Sequence, residues 1–260
     1  MGKVFSENSS NNYSYTIMPR LLKKIIKKSM YLAMSPFILG DYARFKKSSS
    51  KSARLSLKIS DFHPCVLDKT IKTGFDAHYV YHTSWAARKV HEINPTKHID
   101  ISSSLYFSGI VSAFVPVDFY DYRPADLKLS GLQSMRGDLN ALPFADSSIA
   151  SLSCMHTIEH IGLGRYGDTI DSDGDVKAIN ELKRSVAKGG SLLFVVPVGK
   201  PKIEFNAHRI YSYEQIVGYF LDMTLKEFSM VTDDKDFIEN AQPGMVKDQK
   251  YGCGCFWFVK

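Results

Sequence analysis

The chain has no C-x2-C pair and no signal-peptide layout, and lysines interrupt its one basic-apolar tract before it is long enough to cross a membrane. Those absences argue against a zinc ribbon, a secreted disulfide framework and a transmembrane anchor. The four cysteines, Cys65, Cys154, Cys253 and Cys255, are read as reduced thiols in a cytoplasmic setting, and they imply neither metal nor disulfide. A net positive charge is also lacking beyond residue 60. The net charge of +6 arises from Lys and Arg gathered in the N-terminal quarter, while the remainder is close to neutral. The fold itself need not bind a polyanion, so nucleic acid is not an expected partner. Glycine is missing at one telling place. "KHIDISSSLYF" (97–107) reads as a buried strand that stops at Asp100 and turns into serines, with the first glycine only at Gly109.

With 260 residues and 44% hydrophobic content, the chain can bury one full-sized core and carry extra segments. Residues 1–14 are polar and read as a disordered tip. In "MPRLLKKIIKKSMYLAMSPFILGDYARFKK", apolar pairs Leu21/Leu22 and Ile25/Ile26 alternate with Lys23/Lys24 and Lys27/Lys28, which makes a basic amphipathic helix. Its plain use is to pack on the domain. The sharper reading is peripheral contact with an anionic membrane through residues 20–47, at the inner face of the membrane, each basic residue adding about 1 kcal/mol of attraction. "KKSSSKSAR" (46–54) reads as a linker. The expected division is therefore 1–54 (tip, helix and linker) and 55–260 (an α/β domain).

From about residue 74, helix-like and strand-like segments alternate. "TSWAARKVHEIN" predicts a helix capped by Thr83 or Ser84, with Trp85, Ala86, Val90 and Ile93 inward. "HIDI", "FVPVDFYDY" and "IASLSCMH" read as buried strands. "SDGDVKAINELKRSVAKGG" predicts a helix capped by Ser172 or Asp173 and stopped at Gly189/Gly190. "SLLFVVPV" is apolar enough to be covered on both faces. Ser212-x-x-Gln215 is a capping box for a helix with Ile216, Val217, Phe220 and Leu221 on one side. "LKEFSMV" and "CGCFWFVK" close the chain as strands. This order predicts a doubly wound, mostly parallel sheet with helices on both faces and a C-terminal antiparallel hairpin. In such folds chemistry sits at the carboxyl ends of the strands.

Those ends carry Asp100, Asp121, Asp138 in "MRGDLNALPFADSSI", and "CMHTIEHIG". Together with "ELKRSVAKGGSLLFVVP", this series resembles a class I S-adenosylmethionine-dependent methyltransferase of Rossmann-like fold, over roughly residues 85–260. "FYDYRP", "SCMHTIEHIGLGRYGD", "DGD" and "NAHRIYSYEQI" are similar to a family catalogued as a domain of unknown function and associated with bacterial surface-polysaccharide gene clusters. The resemblance implies S-adenosylmethionine as cofactor and a sugar or related small-molecule or glycan acceptor for O-methylation. It places Asp100, Ser102 and Ser104 near the methionine part. Asp121 would accept from the ribose hydroxyls, Asp138 and Leu139 would lie beside the adenine, and Met155 with His156 would pass under the sulfonium. The aspartates also have an ordinary use as caps and turn formers. The departure is the serine loop, because glycine normally supplies positive φ and close backbone approach there.

His156, Glu159, His160 and His208 are the candidate catalytic residues, with a histidine or the glutamate taking a proton from the acceptor hydroxyl. His156-Thr-Ile-Glu159-His160 also matches the inverted zinc-protease pattern H-x-x-E-H, yet it follows an apolar strand directly, so no metal is assigned to it. Asp168, Asp171, Asp173 and Asp175 crowd one loop, where a solvated helix start competes with Mg²⁺. Arg209 is placed to grip an anionic group of the acceptor. Two further readings stand beside methyl transfer: an enzyme of another class on this scaffold, such as a sugar-nucleotide transferase or mutase, and a non-catalytic membrane-surface scaffold.

Overall fold

The structure, a computed structural model, describes residues 20–49, 55–65 and 68–260. The expected tip (1–14), the end of the linker (50–54) and the side chains of the lysine pairs lie outside what it describes. The chain divides after Gly74 into two units. In the first, helix α1 (Arg20–Ser49) runs through Pro36 and through residues 46–49, which were expected to be linker. The correction has a local cause. Ser48 and Ser49 donate back to the carbonyls of Phe45 and Lys46 at 2.9 and 3.1 Å, and Lys46 and Lys47 sit in the last turn, where positive charge suits the helix dipole. Among the described residues no helix is long and apolar enough to cross a membrane.

The second unit, Phe75–Lys260, holds an eight-stranded sheet. Helix α2 (Ala77–Ile93) begins earlier than expected, because Asp76 rather than Thr83 or Ser84 caps it by accepting from Tyr79 N. It is followed by β1 (His98–Ile101), α3 (Leu105–Val111), β2 (Val117–Asp121), β3 (Leu132–Arg136) and β4 (Ile149–Met155). Then come α4 (Gly174–Ser185), β5 (Val186–Val198), the short pair β6 (Lys202–Glu204) and β7 (His208–Ile210), α5 (Tyr213–Tyr219), β8 (Thr224–Val231), β9 (Phe237–Ile238) and β10 (Gly252–Val259). β3 escapes sequence reading because it is an edge strand on which only Leu132 is buried. The α4 pattern ends at Ser185 rather than at the glycines, and Val186 already begins β5.

The strand order is β3-β2-β1-β4-β5-β10-β8-β9, parallel from β3 through β5 and antiparallel beyond. This is the doubly wound, mostly parallel sheet anticipated for a Rossmann-like methyltransferase fold. β10 enters between β5 and β8 and pairs antiparallel with both. Along β5, Leu192, Phe194, Val196 and Val198 join the core with Ile179, Leu182 and Phe220, whereas Leu193 and Val195 join the other with Trp85, Val90 and Phe107. A strand clothed on both faces must be apolar throughout, which is why its sequence loses alternation. The Ser212–Gln215 capping box of α5 is present, and Ile216 and Phe220 are buried, but Leu221 is exposed past the helix end.

Candidate functional site

The sheet reverses its winding between β1 and β4, since β2 and β3 lie to one side and β5 to the other. Open α/β sheets leave a crevice at such a switch point, outside the carboxyl ends of the strands. A cavity of about 320 Å³ lies there, lined by residues that follow β1, β2, β3 and β4. That size lies within the usual range for small-ligand pockets.

The serine loop forms the turn after β1, and its geometry divides three ways. Ser102 has φ +54°, the left-handed conformation that glycine usually supplies, and is pinned there by two bonds to the Tyr120 carbonyl, from N at 2.7 Å and from Oγ at 3.1 Å. Ser103 is buried and its Oγ accepts from Met155 N at 3.1 Å, tying the loop to β4. Ser104 is extended (φ −64°, ψ 130°), stands at the N-cap of α3 and needs no glycine. All three serines line the cavity.

Asp100 does not line it. The carboxyl is fully buried and caged by hydroxyls: Ser108 donates to Oδ2, Ser153 to Oδ1 at 2.6 Å, and Ser103 adds a third bond. Burial pushes its pKa up to about 6 against the opposing effect of those serines. Beneath it, Ser153 spends its proton on Asp100 and so accepts from His98 Nε2 at 2.9 Å, which leaves Nδ1 to accept from Ser151 at 2.8 Å. The expectation that Asp100 meets the cofactor is therefore corrected. A buried carboxylate must be hydrogen-bonded, and the "SSS" stretch supplies one of its donors while binding β1 to β4.

Asp121, Asp138, Leu139 and Met155 all line the cavity. Asp121 ends β2, and its Oδ1 accepts from Arg123 N at 2.7 Å. Asp138 closes a tight turn after β3 by accepting from Asn140 N at 2.9 Å, and Leu139 beside it is buried. After β4, His156 takes φ +54° and lies buried under the rings of His78 and Tyr79, with centroids 5.6 Å away in each case. Its Nδ1 is 2.9 Å from Oε1 of Glu159, which is 1% exposed and is not part of the cavity lining. His160 does line the cavity. Its Nδ1 donates to the Ala207 carbonyl at 2.6 Å, which leaves Nε2 as the basic nitrogen, and burial lowers its pKa despite nearby Glu159. His208 lies outside the lining, against Tyr251 at 4.8 Å and 6.5 Å from the His160 ring, its Nε2 buried without a hydrogen bond.

Two other expectations are revised. Arg209 is 4% exposed and donates to the Ile161 carbonyl at 2.6 Å and the Ser172 carbonyl at 3.2 Å, so it braces the loop before α4 instead of gripping an acceptor. The four aspartates of that loop disperse. Asp168 accepts from Gly162, Gly164 and Tyr166 backbone amides, Asp171 pairs with Lys177, Asp173 stands at the N-cap of α4, and buried Asp175 accepts from Tyr211 OH at 2.8 Å. Sequence reading passed over Tyr79, Tyr122, Arg123, Asn140 and Tyr166, which complete an aromatic and polar wall. It also passed over His78 and His82. Starting the helix at Thr83 hid an H-x3-H pair that an earlier cap at Asp76 would have revealed.

Residues 142–238 match a family described as "Caenorhabditis protein of unknown function, DUF268". No curated protein matches the chain. Among solved structures, YcgJ from Bacillus subtilis is 11% identical with TM-score 0.48, covering 70% of this chain and 98% of its own. A TehB-like SAM-dependent methyltransferase from Corynebacterium glutamicum is 13% identical with TM-score 0.48, covering 86% and 99%. A SAM-dependent methyltransferase from Thermotoga maritima is 14% identical with TM-score 0.46, covering 71% and 92%.

Proposed function

We propose that this chain binds S-adenosylmethionine in the switch-point cavity and transfers its methyl group to a hydroxyl of a sugar or related small acceptor. The observation that carries the reading is the arrangement of the wall. The Asp121 carboxylate stands at the end of β2, Asp138–Leu139 beside it after β3, and Met155–His156 across the crevice after β4. A carboxylate offers paired acceptors for the two ribose hydroxyls, and Leu139 gives an apolar surface for a base. Ser102 holds the left-handed turn that lets backbone approach the ligand, so a serine loop retains the required shape.

When bound, the cofactor supplies a methyl group on a sulfonium. The protein's part is to exclude water, align the acceptor oxygen with that carbon and remove its proton. His160 is the group suited to the last task, with Nε2 unprotonated at neutral pH because Nδ1–H is held by Ala207 and burial disfavours the imidazolium. His160 would take the proton that the acceptor hydroxyl gives up as it is methylated. Tyr79, Tyr122, Tyr166, Arg123 and Asn140 fit a polyol through ring faces and hydrogen bonds. Titration calorimetry of the full chain with S-adenosylmethionine and S-adenosylhomocysteine tests the reading, with micromolar binding expected. Absence of binding for both at millimolar concentration, with stabilisation by a nucleotide sugar in a thermal-shift panel, would instead favour an enzyme of another class.

A further inference from the structure

We propose that His78, His156 and Cys253 form a zinc site at the edge of the cavity. One ligand atom from each, two imidazole nitrogens and a thiol sulfur, lie within 4.8 Å of one another. They come from three elements: the first turn of α2, the turn after β4 and the start of β10. His156 and Cys253 are buried and His78 is half-buried.

The surroundings of these residues are those of metal ligands. A ligating histidine generally has its second ring nitrogen fixed by a carboxylate or backbone carbonyl, which orients the ring. His156 Nδ1 is held by Glu159 Oε1 at 2.9 Å, and His78 bonds the Tyr251 backbone. The other nitrogen of His156, Nε2, is buried without any hydrogen-bond partner, on a side chain only 5% exposed. An unpartnered polar atom so deep is costly, and a cation removes that cost. Glu159 makes the same point with opposite sign. Its carboxylate is buried, Oε2 has no hydrogen bond, and the cationic-capable groups paired with it are imidazoles, His156 at 2.9 Å and His160 at 3.8 Å. A divalent ion with one thiolate ligand leaves one positive charge, which Glu159 cancels.

Two nitrogens and one sulfur suit zinc and not the hard cations that take oxygen ligands. Tetrahedral zinc sets its nitrogen and sulfur donors roughly 3.3 to 3.6 Å apart, so binding requires the three donors to close by about 1 Å. Three protein ligands leave a fourth position for water or an acceptor oxygen. The H-x-x-E-H pattern thus contributes one ligand and its orienting carboxylate. His160 is engaged with Ala207, and the remaining ligands come from parts of the chain far from the motif.

The test uses the full chain, stripped of metal by a chelator and titrated with Co²⁺ as a spectroscopic substitute for zinc. We expect one equivalent bound, a near-ultraviolet thiolate-to-cobalt charge-transfer band, and displacement by zinc. Cys253→Ser should abolish the band and Cys154→Ser should keep it. His78→Ala should weaken binding at least tenfold, and Glu159→Gln roughly 10- to 100-fold, the usual effect of losing an orienting partner. Failure of folded wild-type protein to bind either metal overturns the proposal, as does a cobalt complex without the thiolate band or one unchanged by Cys253→Ser. If Cys253→Ser does not fold, X-ray absorption of the zinc-loaded wild type decides: one sulfur and two imidazoles support the site, and an oxygen-only shell refutes it. No cofactor or acceptor is present in these measurements, so the zinc site and the methyl-transfer reading stand or fall separately.

Discussion

Ser102 offers the sharpest test of how this chain builds its turn. A non-glycine residue at φ +54° is strained by roughly 1 to 2 kcal/mol, which Ser102→Gly relieves. Against that gain, the Oγ bond to the Tyr120 carbonyl is lost. That carbonyl keeps its stronger bond from Ser102 N at 2.7 Å, so it is not orphaned and the loss falls near the low end, about 0.5 kcal/mol. Glycine also widens the unfolded ensemble, at about 0.4 to 1 kcal/mol. The terms largely offset one another, and Ser102→Gly should lie between about 0.5 kcal/mol less and about 1 kcal/mol more stable than the wild type. Ser102→Ala keeps the strain and loses the bond, a net loss of about 0.5 to 1 kcal/mol, and Ser102→Val should be worse because its β-branch meets the left-handed backbone. Urea unfolding followed by the fluorescence of Trp85 and Trp257, both in the second unit, measures the series. Stabilisation by Ser102→Gly of more than about 2 kcal/mol, or alanine ranking above glycine, would refute the reasoning.

If the proposed cofactor site is right, Asp121→Ala should weaken S-adenosylhomocysteine about 100-fold by calorimetry, because it would remove two charge-assisted bonds together worth about 3 kcal/mol; an unchanged affinity would move the ribose elsewhere. Asp100 has a folded pKa near 6, above its ordinary value, so its contribution to stability is full below about pH 4 and is lost as pH rises through 6. The wild type should accordingly lose up to about 3 kcal/mol over that range that Asp100→Asn does not, and parallel denaturation profiles for the two would contradict this. Gly162→Ala should cost more than about 3 kcal/mol or prevent folding, since φ is +79° and the added Cβ would lie 2.1 Å from the Asp171 carbonyl oxygen; a melting temperature within a few degrees of wild type would show that the loop moves freely. Ser104→Gly should change stability by only a few tenths of a kcal/mol, measured the same way, because that N-cap is already extended and has no side-chain cap bond to lose.

Much of the fold was legible because its causes are local. The Ser212–Gln215 box, the apolar β5 and the face of α4 bearing Ile179 and Leu182 follow from neighbours a few residues apart. Reading weakened where local signals were thin. β3 buries one residue, and the cap of α2 is Asp76, seven residues before the Thr83 that the apolar pattern points to. The cavity was half legible: the residues at strand ends were named, but not which of them face inward. Arg209 and Asp100 both looked like ligand-binding charges, and both proved to be buried ones satisfied by carbonyls or serines.

The sequence alone determined the order of strands and helices, and hence that polar residues would gather at one edge of a parallel sheet. It also determined that a serine would stand where glycine is usual. Only the tertiary structure decided that Ser102 could hold that turn, because the fixing carbonyl belongs to Tyr120 on the adjacent strand. It alone brought Cys253 to His78 and His156, since β10 reaches them only by entering the sheet between β5 and β8. Hydrogen bonds within a turn are written in consecutive residues, whereas a cluster drawn from three elements depends on how the sheet closes.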